Sequence, residues 1–404
     1  MTDSSVPTST RIVTLDVIRG IAILGILIMN IQSFSMIGQA YVNPTAFGDL
    51  TGINKWVWIL SHVFADQKFM TLFSILFGAS ILLITEGVER KGKSPLKVHF
   101  SRNFWLLIIG LIHAYFLWYG DILTPYAVCA FLLYPLRKLR TKKLVIIGLI
   151  VFSISTFLEL FFGLSLPHWP EKAIQELAAG WQPSSVQVER EVNAYLGSFG
   201  EQLQQRVKTT QMMQTTVFLS VYFWRISGLM LLGMALFKSK FLLGEKEKKY
   251  YQKVAVWTGI SGALLVVWGI IKNFEANWQL EYSMFIGNQF NYWGSLLVAI
   301  AYLSLIILVV KNGKMVKLIA RLSAVGRMAL TNYLMQTLMG TFIFYGFGLG
   351  LFGQVPRTYQ MLIVMGIWVI QLWYSPLWLR YFRYGPFEWI WRSLTWLKAQ
   401  PLRR

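Results

Sequence analysis

Long apolar runs separated by short polar, basic stretches dominate the chain. Runs of about 20 residues, enough to cross ~30 Å of hydrocarbon as a helix, fall at 17–37, 57–85, 104–119, 122–136 and 144–164. They recur at 213–237, 254–271, 290–310, 324–345 and 359–379. The pattern predicts an all-α polytopic membrane protein with ten transmembrane helices. The third and fourth runs are the shortest, and Gly120, Asp121 and Pro125 place a tight turn between them. The chain then reads as a polar segment over 1–16, one transmembrane helical domain over 17–379 and a basic tail over 380–404.

Only 165–212 offers a sizeable stretch outside the membrane. Val188, Val192, Tyr195, Leu196, Phe199, Leu203 and Val207 recur there at three- and four-residue spacing with charged and amide residues between them. That spacing predicts one amphipathic helix, lying on the outer surface or capping a cavity.

Composition agrees with the pattern: 55% of residues are hydrophobic and 14% charged, whereas a soluble domain carries about a quarter charged residues. A net charge of +20 would point to nucleic acid in a soluble protein, but the placement of the charge removes that reading. Alternate loops (86–103, 137–143, 238–253, 311–327 and the tail) hold 27 Lys and Arg, and the opposite loops hold seven. This is the positive-inside distribution, and it places both termini in the cytoplasm. A cleaved signal peptide is disfavoured, because the first run is long and carries Asn30 and Gln32. The single Cys129 cannot form an internal disulfide.

Ionisable groups inside a bilayer cost about 2.5–3.5 kcal/mol each even on a lenient scale, so they ask for a partner or a function. Asp16 and Arg19 are three residues apart at the start of the first run and can pair on one helical face. Gly20, Ala22 and Gly25 above them allow a neighbouring helix to come close, followed by Asn30 and Gln32. Asp66 and Lys68 in the second run fall on different faces, so each needs a partner elsewhere, with Arg225 and His113 the candidates for Asp66. His113, eleven residues or roughly 16 Å from Arg102, shares a short hairpin with Asp121. Imidazole can take and return a proton near neutral pH. Asn332 and Gln336 lie one turn apart beyond Arg327, as helix glue or as ligands.

His62, His99, His113 and His168 are scattered and show no metal-ligand spacing, so no metal is expected. Neither a GxSxG elbow nor a glycosidase-like carboxylate pair occurs.

LDVIRGIAILGILIMN, KFMTLFSILFG, GLIHAYFLWYGDILTPYA, GRMALTNYLMQT and GPFEWIWRSLT together resemble the YeiB family of bacterial membrane proteins. The first block is also similar to the wider transmembrane acyltransferases. In their O-acetyltransferase branch a histidine lies eleven residues beyond the arginine of the RG pair, where this chain has Asn30. The N-acetyltransferase branch is similar to this chain in having asparagine there, so the resemblance implies acyl transfer with any acid–base or nucleophilic role moved elsewhere, His113 being the mid-membrane histidine at hand. It implies a multi-pass protein of the bacterial cytoplasmic membrane, with Asp16 and Arg19 at the site of an acyl-CoA co-substrate and no covalently bound cofactor.

Read this way, the chain moves an acyl group from acyl-CoA to an envelope glycan or lipid. His113 serves as general base or transient acyl carrier, oriented by Asp121 or Asp66, and Arg225 and Asn30 stabilise the oxyanion. Lys68, Asn332 and Gln336 complete the binding residues. A transporter or flippase that uses the same charges as its path is the rival expectation, and a non-catalytic envelope scaffold a third. Membrane lipids are the expected partners, nucleic acid is not, and nothing in the sequence calls for an oligomer.

Overall fold

The computed structural model describes residues 13–404; of the expected N-terminal segment, residues 1–12 lie outside the described ones and 13–16 already belong to the first helix. Among the described residues there is no β-strand, only one isolated antiparallel bridge between Phe382 and Arg403. The helices of the N-terminal half are α1 (Val13–Ser35), the short α2 (Gln39–Val42), α3 (Gly52–Phe64), α4 (Lys68–Glu89), α5 (Pro95–Ile112), α6 (Leu123–Leu133) and α7 (Thr141–Ser165). Outside the apolar runs follow α8 (Glu171–Trp181), α9 (Ser185–Leu196) and α10 (Phe199–Met212). The second half holds α11 (Phe223–Lys238), α12 (Lys248–Glu275), the single turn α13 (Leu280–Tyr282), α14 (Asn288–Asn312), α15 (Val316–Arg327), α16 (Ala329–Phe344), α17 (Arg357–Tyr381) and α18 (Pro386–Trp396).

Eight segments among the described residues are long and apolar enough to cross a membrane: Val13–Ser35, Gly52–Glu89, Pro95–Leu117, Thr141–His168, Phe199–Lys238, Lys248–Glu275, Leu280–Asn312 and Arg357–Tyr381. The protein is an all-α, multi-pass membrane protein. The runs at 122–136 and 324–345 are shorter than the pattern predicts. Helix α6 has 11 residues, about 16 Å of rise, before a 3-10 turn over Tyr134–Lys138. The run at 324–345 breaks at Met328, where φ −111° and ψ 34° end α15 and start α16. The second run is broken too, at Ala65–Gln67, with Gln67 in the left-handed region at φ 62°. Hydropathy averaged over a window cannot register such breaks, because the residues on both sides stay apolar.

The amphipathic segment is two helices rather than one. Capping boxes at Ser184/Gln187 and Ser198/Glu201 start α9 and α10 separately, each closing two orphan backbone donors. The inward face of α10 is Gln202, Arg206 and Thr210, all buried, while Phe199 is exposed. That polar face meets backbone carbonyls, as described below.

Helix α1 sits among α4, α14, α15, α16 and α17. A Cβ on Gly20 would lie 2.0 Å from the Leu322 carbonyl oxygen, and one on Gly326 would lie 1.9 Å from that of Asp16. Helices α1 and α15 therefore touch backbone to backbone. The basic tail is docked: α18 packs on α5 and α16, and the chain end returns through Arg383 N–H to the Leu402 carbonyl at 2.8 Å.

Candidate active site

Helix α5 does not end cleanly. Its last turn, His113–Leu117, is π-helical, a wide turn that recurs at functional sites, and as the helix end it leaves carbonyls without intrahelical partners. The polar face of α10 takes these carbonyls up. Arg206 donates to the Phe116 carbonyl at 2.7 Å and Thr210 Oγ1 to that of Ala114 at 3.1 Å. The imidazole of His113 is thereby set at the top of α5, facing the turn into α6.

That turn is fixed from two sides. Asp121 Oδ2 accepts from Thr124 N–H at 2.7 Å, capping α6. Tyr333 of α16 accepts from Ile122 N–H and donates to the Gly120 carbonyl, both at 3.3 Å. Gly110 permits the close approach, since a Cβ there would lie 2.6 Å from Thr124 N and 3.0 Å from Asp121 Oδ2.

His113 Nδ1 is 2.9 Å from Asp121 Oδ1, and Nε2 is 2.9 Å from Thr337 Oγ1 on α16. The side chains of His113 and Asp121 are each 1% exposed. A carboxylate only accepts, so Nδ1 carries the proton. Nε2 of the neutral ring is then the acceptor, and the Thr337 hydroxyl donates to it. A carboxylate, an imidazole of assigned tautomer and a hydroxyl in line form the arrangement that activates a nucleophile. Tyr333 and Trp118 wall the ring, with centroids 5.1 and 6.3 Å away. Trp118 Nε1 is buried and has no acceptor among the described residues.

The second polar cluster is separate, built where α3 breaks into α4. Asp66 accepts from Tyr41 at 3.1 Å and Asn291 at 2.7 Å and pairs with His62 Nδ1 at 3.1 Å. Lys68 donates to the His62 carbonyl at 2.6 Å and to Asn291 Oδ1 at 2.5 Å. The Asn291 amide thus bridges the two charges. The break turns Asp66 back toward His62 of α3 and toward α14, so the partners expected for it, His113 and Arg225, give way to these. Arg225 bonds the Tyr292 carbonyl at 3.3 Å, Thr71 at 3.0 Å and Ser295 at 2.7 Å, and lies 4.5 Å over the Tyr292 ring. Its hydrogen bonds run to α4 and α14, the helices that also carry Lys68 and Asn291, so it adjoins that cluster rather than His113.

Among the described residues three stretches are π-helical, His113–Leu117, Met213–Tyr222 and Ser283–Gly287. They carry or closely precede His113, Arg225 and Asn291, so each polar group has a distorted turn at its edge.

The remaining expected residues divide as follows. Asp16 and Arg19 pair at 3.1 Å, with the Arg19 side chain 27% exposed. Asn30 is half-buried and makes no side-chain hydrogen bond among the described residues. Asn332 bonds the Val325 carbonyl at 3.0 Å and Ser375 at 3.2 Å and accepts from Tyr374. Gln336 bonds the Ile23 carbonyl at 2.8 Å and Gln371 at 2.9 Å. Both amides join α16 to neighbouring helices, Gln336 next to Thr337 and Asn332 five residues before it. Thr337, Asn291, Arg206 and Glu388 were not singled out from the sequence. Only Glu388, an acidic residue just inside a helix that starts with Pro386, carried a local signal.

The chain is 32% identical over 394 residues to the uncharacterised protein YeiB of Escherichia coli strain K12, an alignment covering 97% of this chain and 98% of that protein. The chain belongs to the YeiB family. It is also 32% identical over 415 residues to the uncharacterised protein YxaH of Bacillus subtilis strain 168, covering 98% and 97% of the two chains. A family model described as "Protein of unknown function (DUF418)" matches residues 236–398. Within this YeiB-family chain that segment contains Thr337 and Glu388, while His113 and Asp121 lie before it.

Proposed function

We propose that this YeiB-family protein is an acyltransferase of the bacterial cytoplasmic membrane, with both termini cytoplasmic. It moves an acyl group from cytoplasmic acyl-CoA to a hydroxyl or amine on an envelope glycan or lipid. The observation that carries the reading is His113 held between Asp121 and a hydroxyl, 2.9 Å on each side. Asp121 keeps the proton on Nδ1 and would stabilise the imidazolium, leaving Nε2 as a base within the membrane. Nε2 accepts a proton from the attacking hydroxyl and returns it to the departing thiolate. By resemblance, Asp16 and Arg19 hold the donor near the cytoplasmic face.

The test is release of CoA thiol from acetyl-CoA and palmitoyl-CoA by the detergent-purified protein, with His113→Ala and Asp121→Asn alongside. The expected result is loss of release in the first variant. A fall of about 10⁴-fold in the second would match a misassigned tautomer. Full activity in a folded His113→Ala variant would defeat the proposal.

One observation favours a second reading, a transporter. The break at Ala65–Gln67 places Asp66 and Lys68 at a discontinuous helix, the kind of site transporters use for coupling ions. Solute-driven uptake into proteoliposomes that fails in Asp66→Asn but persists in His113→Ala would support it.

A further inference from the structure

Resting on the acyl-transfer reading, we propose that Thr337 is the nucleophile of the site and carries the acyl group transiently as a threonine ester, so that transfer is a double displacement.

The first support is where the hydroxyl points. A threonine inside a helix normally returns its hydroxyl to the carbonyl one turn back. Thr85, Thr258, Thr341 and Thr395 do so here at 2.7 to 2.8 Å. For Thr337 the same bond, to the Tyr333 carbonyl, is stretched to 3.5 Å, and the hydroxyl lies 2.9 Å from His113 Nε2 instead. With Nδ1 committed to Asp121, Nε2 is the acceptor that draws it. The Trp118 ring, its centroid 6.3 Å from that of His113, carries a buried Nε1–H with no acceptor among the described residues, a donor available to a developing oxyanion.

Depth gives the chemical reason for a carrier. Thr337 lies eight residues, or about 12 Å of helix, beyond Ala329, where α16 starts after the break at Met328, which sets it well inside ~30 Å of hydrocarbon rather than at an edge. A thioester reaching it from the cytoplasm and an acceptor reaching it from outside approach from opposite faces. An ester at this depth lets the two visit in turn.

The chemistry closes. In the first half, the Thr337 hydroxyl proton passes to Nε2 and Oγ1 bonds the thioester carbonyl carbon. The C–S bond then breaks, and the thiolate takes the proton from Nε2 and leaves as CoA. In the second half, the acceptor hydroxyl gives its proton to Nε2 and attacks the ester carbonyl. The C–Oγ1 bond breaks, and Thr337 regains its proton.

Radiolabelled acetyl-CoA and palmitoyl-CoA are incubated with the full-length detergent-purified protein, which is quenched in acid and digested, and CoA release is followed in parallel. The expected result is hydroxylamine-sensitive label on the peptide containing Thr337. Thr337→Ser, which keeps a hydroxyl, should retain label and release. Thr337→Val, nearly isosteric and checked for an unchanged melting temperature, should lose the label and at least about 100-fold of the release. If Thr337→Val releases CoA at the wild-type rate while His113→Ala does not, or if the label sits on another residue, the carrier is wrong and the acyl-transfer reading stands. If the wild type releases no CoA from either donor, or His113→Ala equals it, both fail.

Discussion

Glu388 offers a sharp test of how the site is braced, because the element carrying it touches both helices that supply the triad. From α18 it accepts the Thr331 N–H at 3.0 Å and the Thr331 hydroxyl at 2.6 Å, at the first turn of α16. The same helix holds α5 through Trp391 Nε1 donating to the Arg102 carbonyl at 2.8 Å and the Arg102 guanidinium stacked 3.6 Å over the Trp391 ring. Two effects oppose each other at the carboxyl group. The two donors pull its pKa down, and burial pushes it up. Burial wins, and the group sits above its ordinary value of 4.5. Ionised Glu388 is therefore less favourable in the fold than a neutral acceptor of the same shape. Its contribution is full below the unfolded pKa and is lost as pH rises through the folded one. Glu388→Gln at pH 7.5 keeps an acceptor for Thr331 N–H without the charge, so it should change stability by less than about 1 kcal/mol in either direction. Glu388→Ala strands a backbone N–H and a hydroxyl and should cost about 2 kcal/mol, or ~4 °C at roughly 2 °C per kcal/mol for a chain of this size. Tryptophan-fluorescence melting of the purified protein at a fixed scan rate reads both. If the glutamine variant melts as low as the alanine variant, the anion at the helix start governs the contact, and the desolvation argument is refuted.

Three further outcomes are expected. Gly326→Ala should separate α1 from α15, because its Cβ would meet the Asp16 carbonyl oxygen at 1.9 Å. The cost is about 3 kcal/mol, as for severe overpacking, read as loss of monodisperse protein by size exclusion. Asn291→Leu removes the bridge between Asp66 and Lys68 and should cost about 3–5 kcal/mol, while combining it with Asp66→Asn and Lys68→Met should recover part of the loss in a melting series. Glu191, whose carboxylate accepts from Gly38 N–H at 3.0 Å, is pushed above its ordinary 4.5 by burial. Glu191→Gln should thus raise the melting temperature at pH 7.5, with the gain vanishing below about pH 4.5.

The helical membrane class could be read from the chain because the bilayer imposes a length and a polarity on every crossing, and both are written along the sequence. The pairing of His113 with Asp121 was legible for a related reason. The residues are eight apart across a turn whose Gly120 and Pro125 announce it, so local geometry brings them together. The capping boxes that split α9 from α10 were equally local, in the Ser-x-x-Gln and Ser-x-x-Glu spacings at Ser184 and Ser198, and the apolar periodicity on either side concealed them.

Everything that needed a second helix was decided by the tertiary structure. Thr337 reaches His113 across 224 residues, and Asn291 reaches Asp66 across 225. No spacing rule operates over such distances. The polar inward face of α10 follows the same logic, since Arg206 and Thr210 are buried against carbonyls at the end of the turn His113–Leu117 that have no partner within their own helix. Asn332 and Gln336 showed their common face in the sequence, but which groups that face meets, on α1, α15 and α17, was set by the fold. The sequence by itself determined which segments leave water, because transfer into hydrocarbon is a property of each segment. Which buried polar groups meet was left to packing, because in the membrane interior each must find a hydrogen-bond partner, and only the assembled bundle supplies one.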